Sequence, residues 1–268
     1  TREILQARHA EVFQVLQRLA ELGESFLVSL EVGANEQNKL IPICLLVRQI
    51  SGLRALGLLA ESGFYTEALG HQRCLMEALA RIAALAEKPE LLDDYLTQDL
   101  LNRKRLIEDI RSFRGDWPDD LKRDPSDDEL LKQLDTIQVS LDEFRERSGR
   151  KAREVKTFDW AQIGRVDHLL FGHFVISSEA LHFSPKSLER LLVIKGERLS
   201  GIRIGPEDED LDHLILPSCK YVFVGIERLA HILGVDVPGE IADLYRNYET
   251  LFERRAKTAI GVKMTSDE

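Results

Sequence analysis

The chain has 268 residues, 44% of them hydrophobic and 31% charged, with a formal net charge of −10. That much apolar surface can bury a core, which excludes a disordered chain. The acidic balance weakens nonspecific attraction to nucleic acid and to anionic lipid, while leaving room for a local basic patch.

With only 8 prolines and an ordinary 17 glycines, the composition favours long helices. Thr1 to Glu21 is charged and amphipathic, unlike the apolar core of a secretory leader. The first predicted helix runs from Glu3 to Leu30. Leu5, Val12, Leu19 and Phe26 recur every seven residues, and Leu16, Leu22 and Leu30 widen that face. Two partners for this seam stay open: another helix of the same chain, or a second copy in a homodimer.

Gly33 to Asn38 reads as a polar linker with Asn38 as N-cap. The second helix is expected over Lys39 to Glu61, with Pro42 in its first turn. It is apolar nearly all round, which predicts a central position. Its most hydrophobic part, Leu40 to Ala60, is interrupted by Arg48, Gln49 and Arg54, which favours a core helix over a membrane span. Gly52 and Gly57 suit close helix packing, and Ser62-Gly63 ends the helix. No membrane association is expected, and the chain reads as cytoplasmic.

A third helix is predicted over Tyr65 to Glu87, stopped by Lys88-Pro89, and a fourth over Glu90 to Arg114. Gly115 to Asp128 is an acidic loop, followed by a fifth helix over Asp128 to Ser148. The last two helices are highly charged, with a thin apolar stripe at Leu130, Leu134, Ile137, Leu141 and Phe144. Residues 90–148 therefore read as a helical hairpin subdomain within a single helical domain spanning 1–268.

Gly149 to Thr157 is a basic loop, and Asp159 to Gly164 a short helix. Val166 to Leu181 is helical, with Pro185 marking its end. Leu191 to Ile194 and Leu199 to Ile204 flank Lys195-Gly196-Glu197-Arg198 as a β-hairpin. After an acidic turn at Gly205 to Asp210, helices cover Leu211 to Leu233 and Gly239 to Ala259. Pro217 should start or kink the first, and Val237-Pro238 suits the start of the second. Thr265 to Glu268 should fray. The expected fold class is all-α: a multi-helix bundle with a protruding helical hairpin and one short β-hairpin.

Cys44, Cys74 and Cys219 lie far apart and form no CxxC pair, so they are expected as buried free thiols in a reducing compartment. No Walker A loop, GxGxxG or GxSxG is present, which disfavours P-loop, Rossmann and α/β-hydrolase chemistry. His168, His173, His182 and Glu179 lack the HExxH spacing of a metal site, so neither metal nor cofactor is expected. The basic runs Arg103-Lys104-Arg105 and Arg150-Lys151-Ala152-Arg153 sit among acids and read as solvated faces rather than nucleic-acid sites.

The third helix carries the informative residues. Arg73, Glu77 and Arg81 form a narrow polar stripe on an otherwise apolar helix. Charges on a buried helix need partners, because unpaired burial is costly. Ser178 and His182 are four apart on another helix, flanked by Phe171 and Phe174. Imidazole is the side chain most easily tuned for proton transfer near neutral pH. One reading makes His182, Glu77 and Ser178 catalytic, with Arg73 and Arg81 binding an anion such as a phosphate. The other makes the cluster a structural polar network, with His182 capping a helix C-terminus.

Arg73-Cys74-Leu75-Met76-Glu77 followed by Lys88-Pro89-Glu90, together with Ser178-Glu179-Ala180-Leu181-His182-Phe183-Ser184, resembles an uncharacterised bacterial helical family. That family is the domain-of-unknown-function family numbered 5677. Its Arg-x-x-x-Glu and Ser-x-x-x-His positions fall on Arg73, Glu77, Ser178 and His182, and the resemblance covers roughly residues 40 to 235. A looser similarity is to HEPN-type helical domains, several of which are RNA-cleaving toxins or defence proteins. That class places a histidine a short step after an arginine, a spacing found here at Arg2 and His9. The looser similarity, and not the uncharacterised family, implies an RNA or nucleotide substrate in a defence or toxin setting. The alternative is a noncatalytic, homo-oligomeric interaction protein.

Overall fold

The computed structural model describes residues 2–116, 118, 125–182, 185–189, 191–202 and 211–265. Its helices are α1 (Arg2–Arg8), α2 (Ala10–Val28), α3 (Gln37–Glu61), α4 (Tyr65–Glu87), α5 (Leu92–Phe113), α6 (Asp127–Ser148) and α7 (Thr157–Ile163). They continue with α8 (Asp167–Leu181), α9 (Pro185–Glu189), α10 (Leu211–Leu233) and α11 (Gly239–Thr265). Strands β1 (Leu192–Lys195) and β2 (Arg198–Ile202) pair antiparallel, with Lys195 opposite Arg198 and an irregularity after Val193. Gly196 turns the hairpin at φ +63°. The fold is all-α with a short β-hairpin, as the sequence predicts. The acidic turn at 205–210, part of the loop at 115–128 and the final residues 266–268 lie outside the described residues.

Two compact units divide the chain: residues 1–87 with 160–268, and residues 88–159. In the larger unit α4 packs on α3, α8 and α10, and α10 also covers α2 and α3. The predicted continuous first helix is broken. His9 leaves helical geometry (φ −112°, ψ 23°) between α1 and α2, where its Nδ1 meets Asp212 Oδ1 of α10 at 2.7 Å. The heptad residues Leu5, Val12, Leu19 and Phe26 are all at most 4% exposed within the chain itself.

Helix α3 begins before Asn38, not after it. Glu36 takes the N-cap position, and its carboxylate accepts the Gly33 N–H at 2.8 Å. Pro42 therefore falls in the second turn and withholds one N–H from the ladder. By length and composition α3 could cross a membrane. It buries Leu46, Ile50, Leu53 and Leu56 completely or nearly so. Buried amides bind the central helices. Gln49 Nε2 donates to the Leu75 carbonyl at 2.9 Å. Gln72 Nε2 donates to the Leu214 carbonyl at 3.0 Å and to Ser218 Oγ at 3.2 Å. Such buried donors are held because leaving them unmade is expensive.

Pro217 does not start α10; it is buried inside that helix. The thiol expectation also needs correction. All three cysteines are free, but only Cys219 is buried, while Cys44 and Cys74 are exposed. Helices α3 and α4 each keep one face uncovered, and those cysteines lie on it. Burial pushes the Cys219 thiol well above its ordinary range.

In the smaller unit α5 packs on α6. Ile107, Leu130, Ile137 and Leu141 form a small core of their own. Ser126 and Glu129 cap α6 reciprocally, satisfying two otherwise orphaned N–H groups. Gly149 closes α6 in the left-handed conformation.

Candidate functional site

Helix α4 is apolar nearly all round because it sits among three neighbours. Leu75, Met76, Leu79, Ile82 and Ala83 are fully buried. Its polar stripe lies where α8 packs. Arg73 Nε donates to Glu77 Oε1 at 3.1 Å, and Arg73 Nη1 donates to the Ser178 hydroxyl. The guanidinium carbon lies 4.6 Å from the centre of the Phe174 ring, within cation–π range. Arg81 Nη1 donates to the Glu77 carbonyl at 2.8 Å and lies 3.7 Å from Glu77 Oε2. Two guanidiniums therefore flank one carboxylate, and the stripe carries a net positive charge. The side chains of Arg73 and Glu77 are 23% and 32% exposed, so the group is reachable from solvent.

The structure thus brings together Arg73, Glu77, Arg81 and Ser178. His182 is placed differently. It caps the C-terminus of α8 with φ −94° and ψ 12°, its N–H bonds to the Ser178 carbonyl at 3.0 Å, and the residue is exposed. The helix carries it one turn, about 6 Å along the axis, beyond Ser178. Among the described residues neither Ser178 nor Glu77 hydrogen-bonds the imidazole. Both hold Arg73 instead. Nη2 of Arg73 has no hydrogen-bond partner among the described residues, while Nε and Nη1 are each held.

The Arg2 and His9 pair lies elsewhere, and each is bound to a different carboxylate. Arg2 Nη2 is 2.5 Å from Glu61 Oε2, and His9 meets Asp212. A second polar group, around His173, Lys220, Tyr248 and Glu249, was not visible in the sequence. Its members come from α8, α10 and α11, and only Tyr248 and Glu249 are close in sequence.

A mainly helical unit with an arginine clamped between two helices defines the class only broadly. A family model describes it further: residues 39–198 match the family of unknown function DUF5677. That span is more than half of the chain, and the chain belongs to this family. It includes all five candidate residues. Comparisons with curated proteins and with solved structures give no match.

Proposed function

We propose that the α4–α8 face is a phosphate-binding site that acts on RNA or a nucleotide, in a bacterial defence or toxin setting within the cytoplasm. The observation that carries this reading is the half-held guanidinium of Arg73. Glu77, Ser178 and Phe174 fix its plane, while Nη2 has no hydrogen-bond partner among the described residues. A pre-oriented planar fork loses little freedom on gripping a phosphate, and arginine suits that geometry better than lysine. Arg81 adds charge beside it. His182 is exposed one turn along α8 and supplies the proton-transfer group. Glu77 and Ser178 act as positioning residues for Arg73.

The direct test incubates the purified chain with labelled single-stranded RNA and with nucleoside triphosphates, following binding and product formation. Binding that weakens steeply with salt, and that Arg73→Ala removes, supports the reading. Equal binding by wild type and Arg73→Ala rejects it.

A second reading is a homo-oligomeric interaction protein whose polar cluster fixes the α4–α8 crossing. It is favoured by Val175 and Ile176 of α8, apolar side chains that are exposed at 47% and 50%. Light scattering distinguishes the two: a strict monomer removes this second reading.

A further inference from the structure

A cavity of about 480 Å³ opens between α8, α10 and α11. From α8 it is lined by Leu169 and His173, not by Phe174 and Ser178 of the arginine site. Its size falls in the range typical of small-molecule sites. Pro217, Tyr248 and Phe252 give it an apolar and aromatic wall, and Lys220, Glu249 and Glu253 give it charge.

Lys220 supplies the positive charge and Glu249 and Glu253 the negative; Glu253 is largely exposed and also lies 3.9 Å from Lys257. The Lys220 ammonium is held by the Tyr245 hydroxyl and lies 4.3 Å from the centre of that ring. Its side chain is 27% exposed, and Glu249 Oε1 stands 3.9 Å away, beyond hydrogen-bond reach. Ammonium and carboxylate attract one another there without using up each other's hydrogen-bonding positions. Glu253 follows Glu249 by one turn of α11.

The remaining polar groups are neutral near pH 7. Burial lowers the His173 pKa, against the raising effect of the Leu169 carbonyl and with a smaller lowering from His213. Its Nδ1 lies 2.8 Å from the Tyr221 hydroxyl. Burial pushes the Tyr221 and Tyr248 phenols above their ordinary range, so both stay protonated. The Tyr248 hydroxyl makes no hydrogen bond among the described residues.

We propose that this cavity binds a small zwitterion with an apolar body, the chemistry of a free aromatic or branched-chain amino acid. The ligand carboxylate meets Lys220, its ammonium meets Glu249 and Glu253, and its side chain lies against Tyr248 and Phe252. A simple organic anion would face two carboxylates, and a simple amine would face the lysine. Only a ligand carrying both charges is complementary to both. The site is independent of the phosphate reading. Helices α10 and α11 lie outside the segment matched by the family model, while Leu169 and His173 of α8 lie within it.

Calorimetric titration of the full chain tests the proposal, using L-phenylalanine and L-leucine beside phenylpropionate and phenethylamine. The expected result is saturable binding of at least one amino acid, with both single-charge analogues at least about tenfold weaker, the loss of roughly one charged contact. Lys220→Met should weaken amino-acid binding about tenfold. Phe252→Ala, at a partly exposed position, gives an independent loss should the lysine variant fold poorly. Arg73→Ala should bind as wild type. The proposal is overturned if no amino acid saturates, if either analogue binds equally well, or if Phe252→Ala leaves binding unchanged.

Discussion

Arg73 on α4 donates to the Ser178 hydroxyl on α8, a bond between residues 105 positions apart that closes the polar side of the α4–α8 crossing. Its i, i+4 partner Glu77 fixes the guanidinium from the same helix. Removing the hydroxyl with Ser178→Ala should cost about 1 kcal/mol, read by thermal unfolding. The same change should weaken binding of a short oligoribonucleotide several-fold by releasing one edge of the fork. Arg73→Lys should not restore that affinity, because an ammonium cannot bond Glu77 and Ser178 while presenting a planar edge outward. Full affinity in the lysine variant would show that charge alone suffices.

His9 and Asp212 predict an acid-dependent loss of stability. Burial pushes the Asp212 carboxyl up, but the His9 hydrogen bond and the charges of His9, Arg255 and His213 outweigh it. The net result lies below the ordinary value of 3.8. Arg255 Nη1 lies 3.4 Å from the second carboxylate oxygen. A carboxyl held below its unfolded pKa stabilises the fold above that unfolded value. The contribution is lost as pH falls through the folded value. Denaturant unfolding from about pH 5 down to about pH 2 should therefore show a declining stability. Asp212→Asn should flatten that decline. An unchanged slope in the variant would assign the decline to other carboxylates.

Asp94 is 2% exposed, and Arg150 supplies its counter-charge through both nitrogens, Nη2 lying 2.5 Å from Oδ2. The arginine also lies 5.2 Å from the Phe144 ring centre. Arg150→Ala strands a buried carboxylate and should destabilise the 88–159 unit by about 3 kcal/mol, the lower part of the range for broken buried pairs. Arg150→Ala with Asp94→Asn should recover most of that loss. Hydrogen exchange of α5 and α6 would report it.

Gly225 is a close-approach glycine. A Cβ placed there would stand 2.1 Å from Gln49 Oε1 and 3.1 Å from its Cδ. Gln49 is fully buried and bonds the Leu75 carbonyl, so it has little room to retreat. Gly225→Ala should destabilise by about 1–3 kcal/mol through overpacking, measured by chemical unfolding. A neutral result would mean that Gln49 rotates freely.

Periodicity made most helices legible. Helices α4 and α10 match their expected limits, because Lys88-Pro89 and the apolar runs leave one reading of each. The break at His9 was not legible, since it depends on Asp212 some 200 positions away. The start of α3 was misplaced because Glu36 competes with Asn38 for the cap, and only the chain path at Gly33 decides between them. The exposed cysteines were unreadable for a similar reason: an apolar helix does not say which of its faces remains uncovered. At the site, spacing alone paired Arg73 with Glu77 and Ser178 with His182. It could not show that Ser178 turns to the arginine rather than to the histidine, because that choice is made by how α8 lies on α4.

The most direct measurement compares RNA cleavage or phosphate-ligand binding by wild type, Arg73→Ala and His182→Ala, alongside the melting temperature of each. Phosphate-site chemistry predicts that Arg73→Ala loses binding and His182→Ala loses turnover. His182 is exposed, so its variant should melt within about a degree or two of wild type. Variants that keep full activity, or that lose only stability, would contradict a functional role for this face.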